Sequence, residues 1–212
     1  MSELPALNHG LVVAGYGRHF LVETAQGQRV ICHPRGKKSR AVVGDRVRWR
    51  ASQDEGTIEQ IEARHNLLYR KDEIRTKSFA ANLDQVLILI AAEPEFSEHQ
   101  LSRALIAAEA EHITPLIALN KGDLQRPFER AWNRLEPYRR MGYSVLPLAL
   151  KPQVPAASRQ TPQEAATPAL VDHLTGKTTL VLGPSGAGKS TLINLLVPGA
   201  AALTGEISKA LR

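Results

Sequence analysis

The sequence predicts two folds in series: a small all-β barrel of the OB type, then an α/β unit built on a parallel sheet. Three observations carry this. Residues 1–66 break into short β-rich runs punctuated by glycines. From Asp84 onward, continuous apolar runs alternate with amphipathic helical stretches. One strand, 178–182, runs directly into a glycine-rich segment followed by an apolar helix.

The barrel is read from five runs, at 10–14, 19–22, 28–32, 45–50 and 57–61, with Gly15, Gly17, Gly27, Gly36, Gly44 and Gly56 as turns. Five short strands fit an OB-fold, and an SH3-like barrel has the same signature. In Val47-Arg48-Trp49-Arg50 apolar and basic residues alternate, so a strand buries Val47 and Trp49 and presents Arg46, Arg48 and Arg50 together. The loop before it adds Arg35, Lys37, Lys38 and Arg40. These seven cations are the candidate RNA-binding residues, because a basic strand face on such a barrel suits a polyanion.

The α/β unit spans 84–212, after a polar, basic connector at 67–83. Residues 85–92 are uniformly apolar after Gln85, as in a central parallel strand. Residues 97–111 form a helix that Ser97 and Gln100 can cap, with Leu101, Leu105 and Ala108 on one face. Strand 115–119 follows, then a helix from Pro127 to about residue 141 that Pro137 bends or breaks. Strands 143–148 and 178–182 complete the set. The stretch 151–168, with prolines at 152, 155, 162 and 168, reads as a flexible insertion.

Of the 212 residues, 43% are hydrophobic and 23% charged, which excludes disorder throughout. No apolar run approaches the ~18 residues of a membrane span, and the start has no secretory pattern. The single cysteine, Cys32, excludes an internal disulfide framework and a multi-cysteine zinc site within this chain. The expectation is a soluble cytoplasmic protein with no membrane partner. Its net charge of +6 is concentrated in residues 1–70, which hold 11 basic and 7 acidic side chains.

Gly183, Pro184, Ser185, Gly186, Ala187, Gly188, Lys189 and Ser190 match G-x-x-x-x-G-K-[ST] in full, in strand–loop–helix context. The glycines let backbone N–H groups wrap a phosphate chain, and the helix N-terminus adds its dipole. Lys189 is the candidate for stabilising charge on the β- and γ-phosphates, and the Ser190 hydroxyl for ligating Mg²⁺. Thr191 is placed for the α-phosphate. Asn120-Lys121-Gly122-Asp123 follows strand 115–119. This is the N-K-x-D pattern of GTPases. The Asp123 carboxylate matches the adjacent N1–H and N2–H donors of guanine, and adenine leaves it unsatisfied. Asn120 can bond the base or brace the phosphate loop, and the Lys121 stem can lie over the ring. In ordinary GTPases the phosphate loop comes first. Here Asn120 precedes Gly183 by 63 residues, which makes a circularly permuted P-loop GTPase core.

Several stretches resemble the ribosome small-subunit-dependent GTPase A family of bacteria: Ala80-Ala-Asn-Leu-Asp-Gln-Val-Leu-Ile88, Ala91-Ala-Glu-Pro94, Leu119-Asn-Lys-Gly-Asp-Leu124, Gly142-Tyr143, Leu182 to Asn194, and Thr204-Gly-Glu-Ile-Ser208. The resemblance covers nearly the whole chain. It implies GTP hydrolysis to GDP and phosphate with Mg²⁺, in late maturation of the small ribosomal subunit. It also implies that the barrel contacts rRNA and that the full-length protein is monomeric. The family's Ser-Ala guanine loop stands here as Leu148-Ala149, whose Ala149 N–H can still reach guanine O6. The family continues past position 212 into a switch threonine, a D-x-x-G loop and a Cys/His domain, so Zn²⁺ is expected only in that region. The sequence therefore reads as a shortened form with an incomplete parallel sheet. Numbered as in ordinary GTPases, its strands are 4, 5, 6 and 1, contiguous in the sheet, with strand 178–182 as an apolar edge. A form with that edge uncovered is expected to be poorly soluble or partly disordered near its C-terminus.

Two other functions fit parts of the sequence. One is a different P-loop enzyme, a nucleotide kinase or transporter ATPase, against which stand N-K-G-D and the absence of L-S-G-G-Q. The other is a non-catalytic RNA-binding module with a vestigial GTP site. No residue stands out for orienting the attacking water.

Overall fold

The computed structural model describes residues 7–36, 41–53, 55–71, 76–150 and 168–197. The chain divides into two compact units, Met1–Leu83 and Asp84–Arg212.

The first unit holds five strands: β1 (Asn8–Gly15), β2 (Phe20–Glu23), β3 (Arg29–Pro34), β4 (Arg46–Ser52) and β5 (Glu55–Ile61). They close into a barrel in the order β1-β2-β3-β5-β4, with β4 returning to β1. The β3–β5 pair is parallel and the others antiparallel. A closed five-stranded Greek key is the OB arrangement. Alternation works as the sequence implies. Val12, Phe20, Val22, Cys32, Val47, Trp49 and Ile58 fill the interior, and Arg46 and Arg48 lie outside. Asp45, fully buried, enters β4 with both carboxylate oxygens on the Arg64 guanidinium, at 2.6 and 2.7 Å.

Residues 67–83, expected as a connector, contain a β-hairpin: β6 (Leu67–Lys71) pairs antiparallel with β7 (Thr76–Ala81). Basic residues near its tip disguise the strand pattern, but Leu68, Ala80 and Ala81 are buried. The hairpin belongs to the first unit. Ala80 bridges Val43, and Asn82 Nδ2 donates to Gly44 O at 2.8 Å.

The second unit is a four-stranded sheet, β8 (Gln85–Ala91), β9 (Thr114–Asn120), β10 (Ser144–Pro147) and β11 (Thr179–Leu182), in the order β10-β9-β8-β11. Every pairing is parallel. This is the contiguous set implied by a permuted core. Strand β8 is buried at all seven positions. Among the described residues, β11 pairs only with β8 and is half-buried throughout.

Helix α1 (Glu98–Ala110) starts at Ser97, whose hydroxyl accepts from Gln100 N–H, and buries Leu101, Leu105 and Ala108. The next helix begins at Gln125, two residues before Pro127, and breaks at Leu135 into α2 (Gln125–Arg134) and α3 (Glu136–Arg140), where Pro137 sits in the first turn. Pro168, expected within the insertion, opens α4 (Pro168–Leu174); the rest of 151–168 lies outside the described residues, as do 198–212. Leu170 of α4 and Leu192 of α5 (Lys189–Leu196) pack with Leu87, Leu89, Leu116 and Ala118 on one face of the sheet.

Candidate functional site

In an open parallel sheet, ligands bind beyond the carboxyl ends of the strands. Four loops leave that edge here, and three of them carry the candidate residues: Gly183–Gly188 after β11, Lys121–Asp123 after β9, and Leu148–Leu150 after β10. Asn120 joins all three. Its side chain is 4% exposed. Its Nδ2 donates to Ala187 O at 2.9 Å, and its Oδ1 accepts Leu150 N–H at 3.1 Å. Both bonds are those of a brace between the loops. The base-side loop is closed further by Gly122 N–H to Leu148 O at 2.9 Å.

The phosphate loop needs its glycines for space as well as torsion. A Cβ on Gly183 would overlap Leu89 O, and one on Gly188, at φ +104°, would overlap Asn120 Nδ2. Lys189 folds back over the loop, its ammonium donating to Gly183 O and Pro184 O, each at 2.8 Å. Burial holds it below its ordinary value. An ammonium has three N–H bonds, so one donor is left for a ligand. The N–H groups opening α5, from Lys189 to Thr191, have no carbonyl one turn earlier within the helix and face an incoming anion. The Ser190 and Thr191 side chains are half-buried and make no hydrogen bond among the described residues. A hard hydroxyl oxygen beside the lysine suits Mg²⁺, which takes a few protein oxygens plus phosphates and waters.

Asp123 is half-buried, and its carboxylate has no hydrogen bond or ion pair among the described residues. Lys121 is held left-handed at φ +68°, a conformation that costs a non-glycine residue about 1–2 kcal/mol and is found where function over-determines the backbone. Ala149 N–H makes no hydrogen bond among the described residues, while those of Leu148 and Leu150 on either side do. The sequence reading missed Leu150, whose contribution is a backbone N–H and so leaves no trace in residue type. It also missed the apolar groove, lined by Ile88, Ile90, Leu101 and Leu182, that runs up to Gly183 and Pro184.

The candidate RNA-binding residues are differently placed. Lys37, Lys38 and Arg40 lie outside the described residues. Arg35 and Arg50 pair with Glu59 at 2.7 and 3.4 Å, and Arg48 with Glu62 at 3.5 Å. Arg46 is exposed with no ion pair among the described residues.

A family model described as RsgA GTPase matches residues 61–212. The chain is similar to the small ribosomal subunit biogenesis GTPase RsgA of Variovorax paradoxus (strain S110), 73% identical over 205 residues, 97% of this chain and 62% of that protein. It is 53% identical over 204 residues to the protein of the same name from Paraburkholderia phytofirmans, covering 95% of this chain and 62% of the relative. Among solved structures it is similar to YjeQ from Thermotoga maritima, with a TM-score of 0.67, 28% identity, and coverage of 91% of this chain and 66% of the other. It is also similar to YloQ, described as a circularly permuted GTPase, with a TM-score of 0.63, 29% identity, and coverage of 93% and 67%. The chain spans about 62% of the length of the curated relatives it matches.

Proposed function

The chain belongs to the RsgA GTPase family, and from that membership we propose that the whole protein binds GTP, hydrolyses it to GDP and phosphate, and acts in late maturation of the small ribosomal subunit. The observation that carries the nucleotide part is Asn120. One buried amide ties the base-side loops to the phosphate loop, so one ligand with a base at one end and phosphates at the other engages all of them.

In this reading Asp123 accepts guanine N1–H and N2–H, Ala149 N–H meets O6, and the Lys121 stem covers the ring. The N–H groups of 183–191 cradle the phosphates, and Thr191 reaches the α-phosphate. Lys189 offsets charge on the β- and γ-phosphates, which favours the loose transition state of phosphoryl transfer. Ser190 would hold Mg²⁺, which adds charge neutralisation at the same oxygens. No described residue is a candidate for orienting the water, and none is proposed to bind zinc.

The barrel and its hairpin are the RNA-contacting part, reaching rRNA of the small subunit, with Arg46 the unpaired cation of β4. No helix among the described residues is long and apolar enough to cross a membrane, and we place the protein in the cytoplasm, as a monomer when full length.

The test is nucleotide preference followed by turnover. GDP should bind this chain far more tightly than ADP, and Asp123→Asn should transfer the preference to xanthine nucleotides, a swing of about 100-fold or more. Equal affinity for ADP would overturn the guanine reading. GTP turnover by the full-length protein should rise on adding small ribosomal subunits. An unchanged rate would overturn the ribosomal role.

A further inference from the structure

We propose that Leu150 is a positioning residue for guanine recognition: its side chain, wedged against Gly188 of the phosphate loop, holds the Ala149 N–H where O6 of the base will stand. This rests on the guanine reading above and names what sets one of its contacts.

The loop after β10 is anchored at alternate residues. Leu148 and Leu150 are 2% and 4% exposed, and Ala149 between them is half-buried. Leu148 N–H donates to Leu119 O at 2.7 Å, and Leu148 O accepts Gly122 N–H at 2.9 Å. Leu150 N–H donates to Asn120 Oδ1 at 3.1 Å. These bonds tie the loop to the end of β9. The side chain of Leu150 adds a direct contact on the phosphate side. Its Cδ1 lies 3.4 Å from where a Cβ on Gly188 would stand, a position that Asn120 Nδ2 also crowds. Leu150 shares one apolar cluster with Ala187 and with Leu192 of α5. On the other side the Ala149 methyl lies 3.7 Å from where a Cβ on Gly122 would stand. The loop is therefore wedged between the two glycines.

The Ala149 N–H belongs to a planar peptide between two anchored residues, so its direction follows from where they are held. A leucine in a close-packed cluster has little room to move. Truncating it frees one end of the wedge, and a hydrogen bond weakens steeply as its angle departs from linear. Asp123 stands on a separate loop, tied by Gly122 N–H to Leu148 and by Leu124 N–H to Lys121 O at 3.0 Å. Its contacts with guanine N1–H and N2–H do not depend on Leu150.

The experiment titrates the 212-residue chain with GDP, 6-thio-GDP, inosine diphosphate and ADP by calorimetry. The first analogue replaces O6 by sulfur, a weaker acceptor, and keeps N1–H and N2–H. Inosine diphosphate keeps O6 and N1–H and lacks the N2 amine. The wild type should prefer GDP over 6-thio-GDP about 2- to 10-fold, the worth of one hydrogen bond. Leu150→Ala should abolish that preference and leave the preference for GDP over inosine diphosphate unchanged. Leu150→Met, close in volume, should restore it. Leu170→Ala cuts into the same cluster from α4, and it should lower the thermal midpoint with both preferences intact. If Leu150→Ala still prefers GDP over 6-thio-GDP as the wild type does, the positioning role is refuted and the guanine reading stands. Loss of both preferences in Leu150→Ala, or an equal change in Leu170→Ala, would assign the effect to the core at large and overturn the proposal. A wild type that binds ADP as tightly as GDP would remove the guanine reading and the proposal with it.

Discussion

The side-chain amide of Asn120 donates to the main-chain carbonyl of Ala187 over 2.9 Å, joining residues 67 positions apart. Both partners are buried, so neither end of the bond can turn to water when it is cut. Asn120→Ala leaves the Ala187 carbonyl and the Leu150 N–H unpaired at about 1–3 kcal/mol each. GDP affinity should fall about 5- to 150-fold, converted from that range. Asn120→Asp keeps an acceptor for Leu150 but cannot donate to Ala187, so it should rescue little. Calorimetric titration with GDP measures this, and undiminished affinity in Asn120→Ala would mean that the bridge does not shape the site.

Lys189 carries a pH prediction. Burial lowers it from its ordinary 10.5. Between the lowered value and 10.5 the unfolded chain binds more protons than the folded one, so stability from this group rises with pH across that window and its cost is in full force below it. Bound phosphate favours the charged form and pulls the other way. GDP affinity should therefore hold near neutral pH and decline on the alkaline side before 10.5 is reached. Lys189→Arg, always charged, should bind more weakly and decline less over that range, its remaining fall being the loss of the guanine N1 proton that Asp123 accepts. A GDP affinity flat up to 10.5 in the wild type would remove the burial argument.

How much of this was legible in the residues depends on whether the signal is local. The sheet order was readable because β8 is apolar after Gln85 and the two motifs mark the ends of β9 and β11 in a known relation. The basic stripe of β4 was readable as alternation, but its neutralisation was not. Glu59 sits where the β4–β5 register shifts, between Gln60 opposite Arg48 and Ile58 opposite Trp49, and a bulge has no composition signature strong enough to place it. The hairpin at 67–81 was hidden for a related reason. Its strands bury one small apolar end each and carry Arg70 and Lys77 outward. The bracing role of Asn120 needed the distance to Ala187, which only the fold supplies.

Arg64 tests how the barrel is tied. Asp45 is fully buried and accepts from Arg64 twice and from Val42 N–H at 2.8 Å. The Asp45 hydrogen bond raises Arg64 above its ordinary value. Arg64→Ala strands a carboxylate inside the protein, a loss of about 3 kcal/mol, at the low end of that class because Arg64 keeps 22% of its exposure. Arg64→Lys cannot reproduce the two-pronged contact and should recover only part. Urea unfolding followed by Trp49 fluorescence in a Trp132→Phe background isolates the barrel, and a change under ~0.5 kcal/mol, typical of surface sites, would show that the pair does not hold it.

Cys32 offers an independent reading of the same closure. Its thiol is fully buried. Burial first, then the charge of Glu55, pushes it from 9.0 up to about 11. Only the thiolate attacks an alkylating reagent, so at neutral pH the folded thiol is both covered and protonated. Iodoacetamide should label it only through opening of the barrel, at a rate set by the open fraction. Arg64→Ala, at about 3 kcal/mol, should then speed labelling roughly 100-fold. The raised value has its own consequence at high pH. Between 9.0 and about 11 the unfolded chain releases its proton first, so stability from this group is present below 9.0 and declines above it. Immediate labelling of the folded wild type at neutral pH would contradict the closed barrel, and equal labelling rates in wild type and Arg64→Ala would separate the Asp45–Arg64 pair from barrel opening.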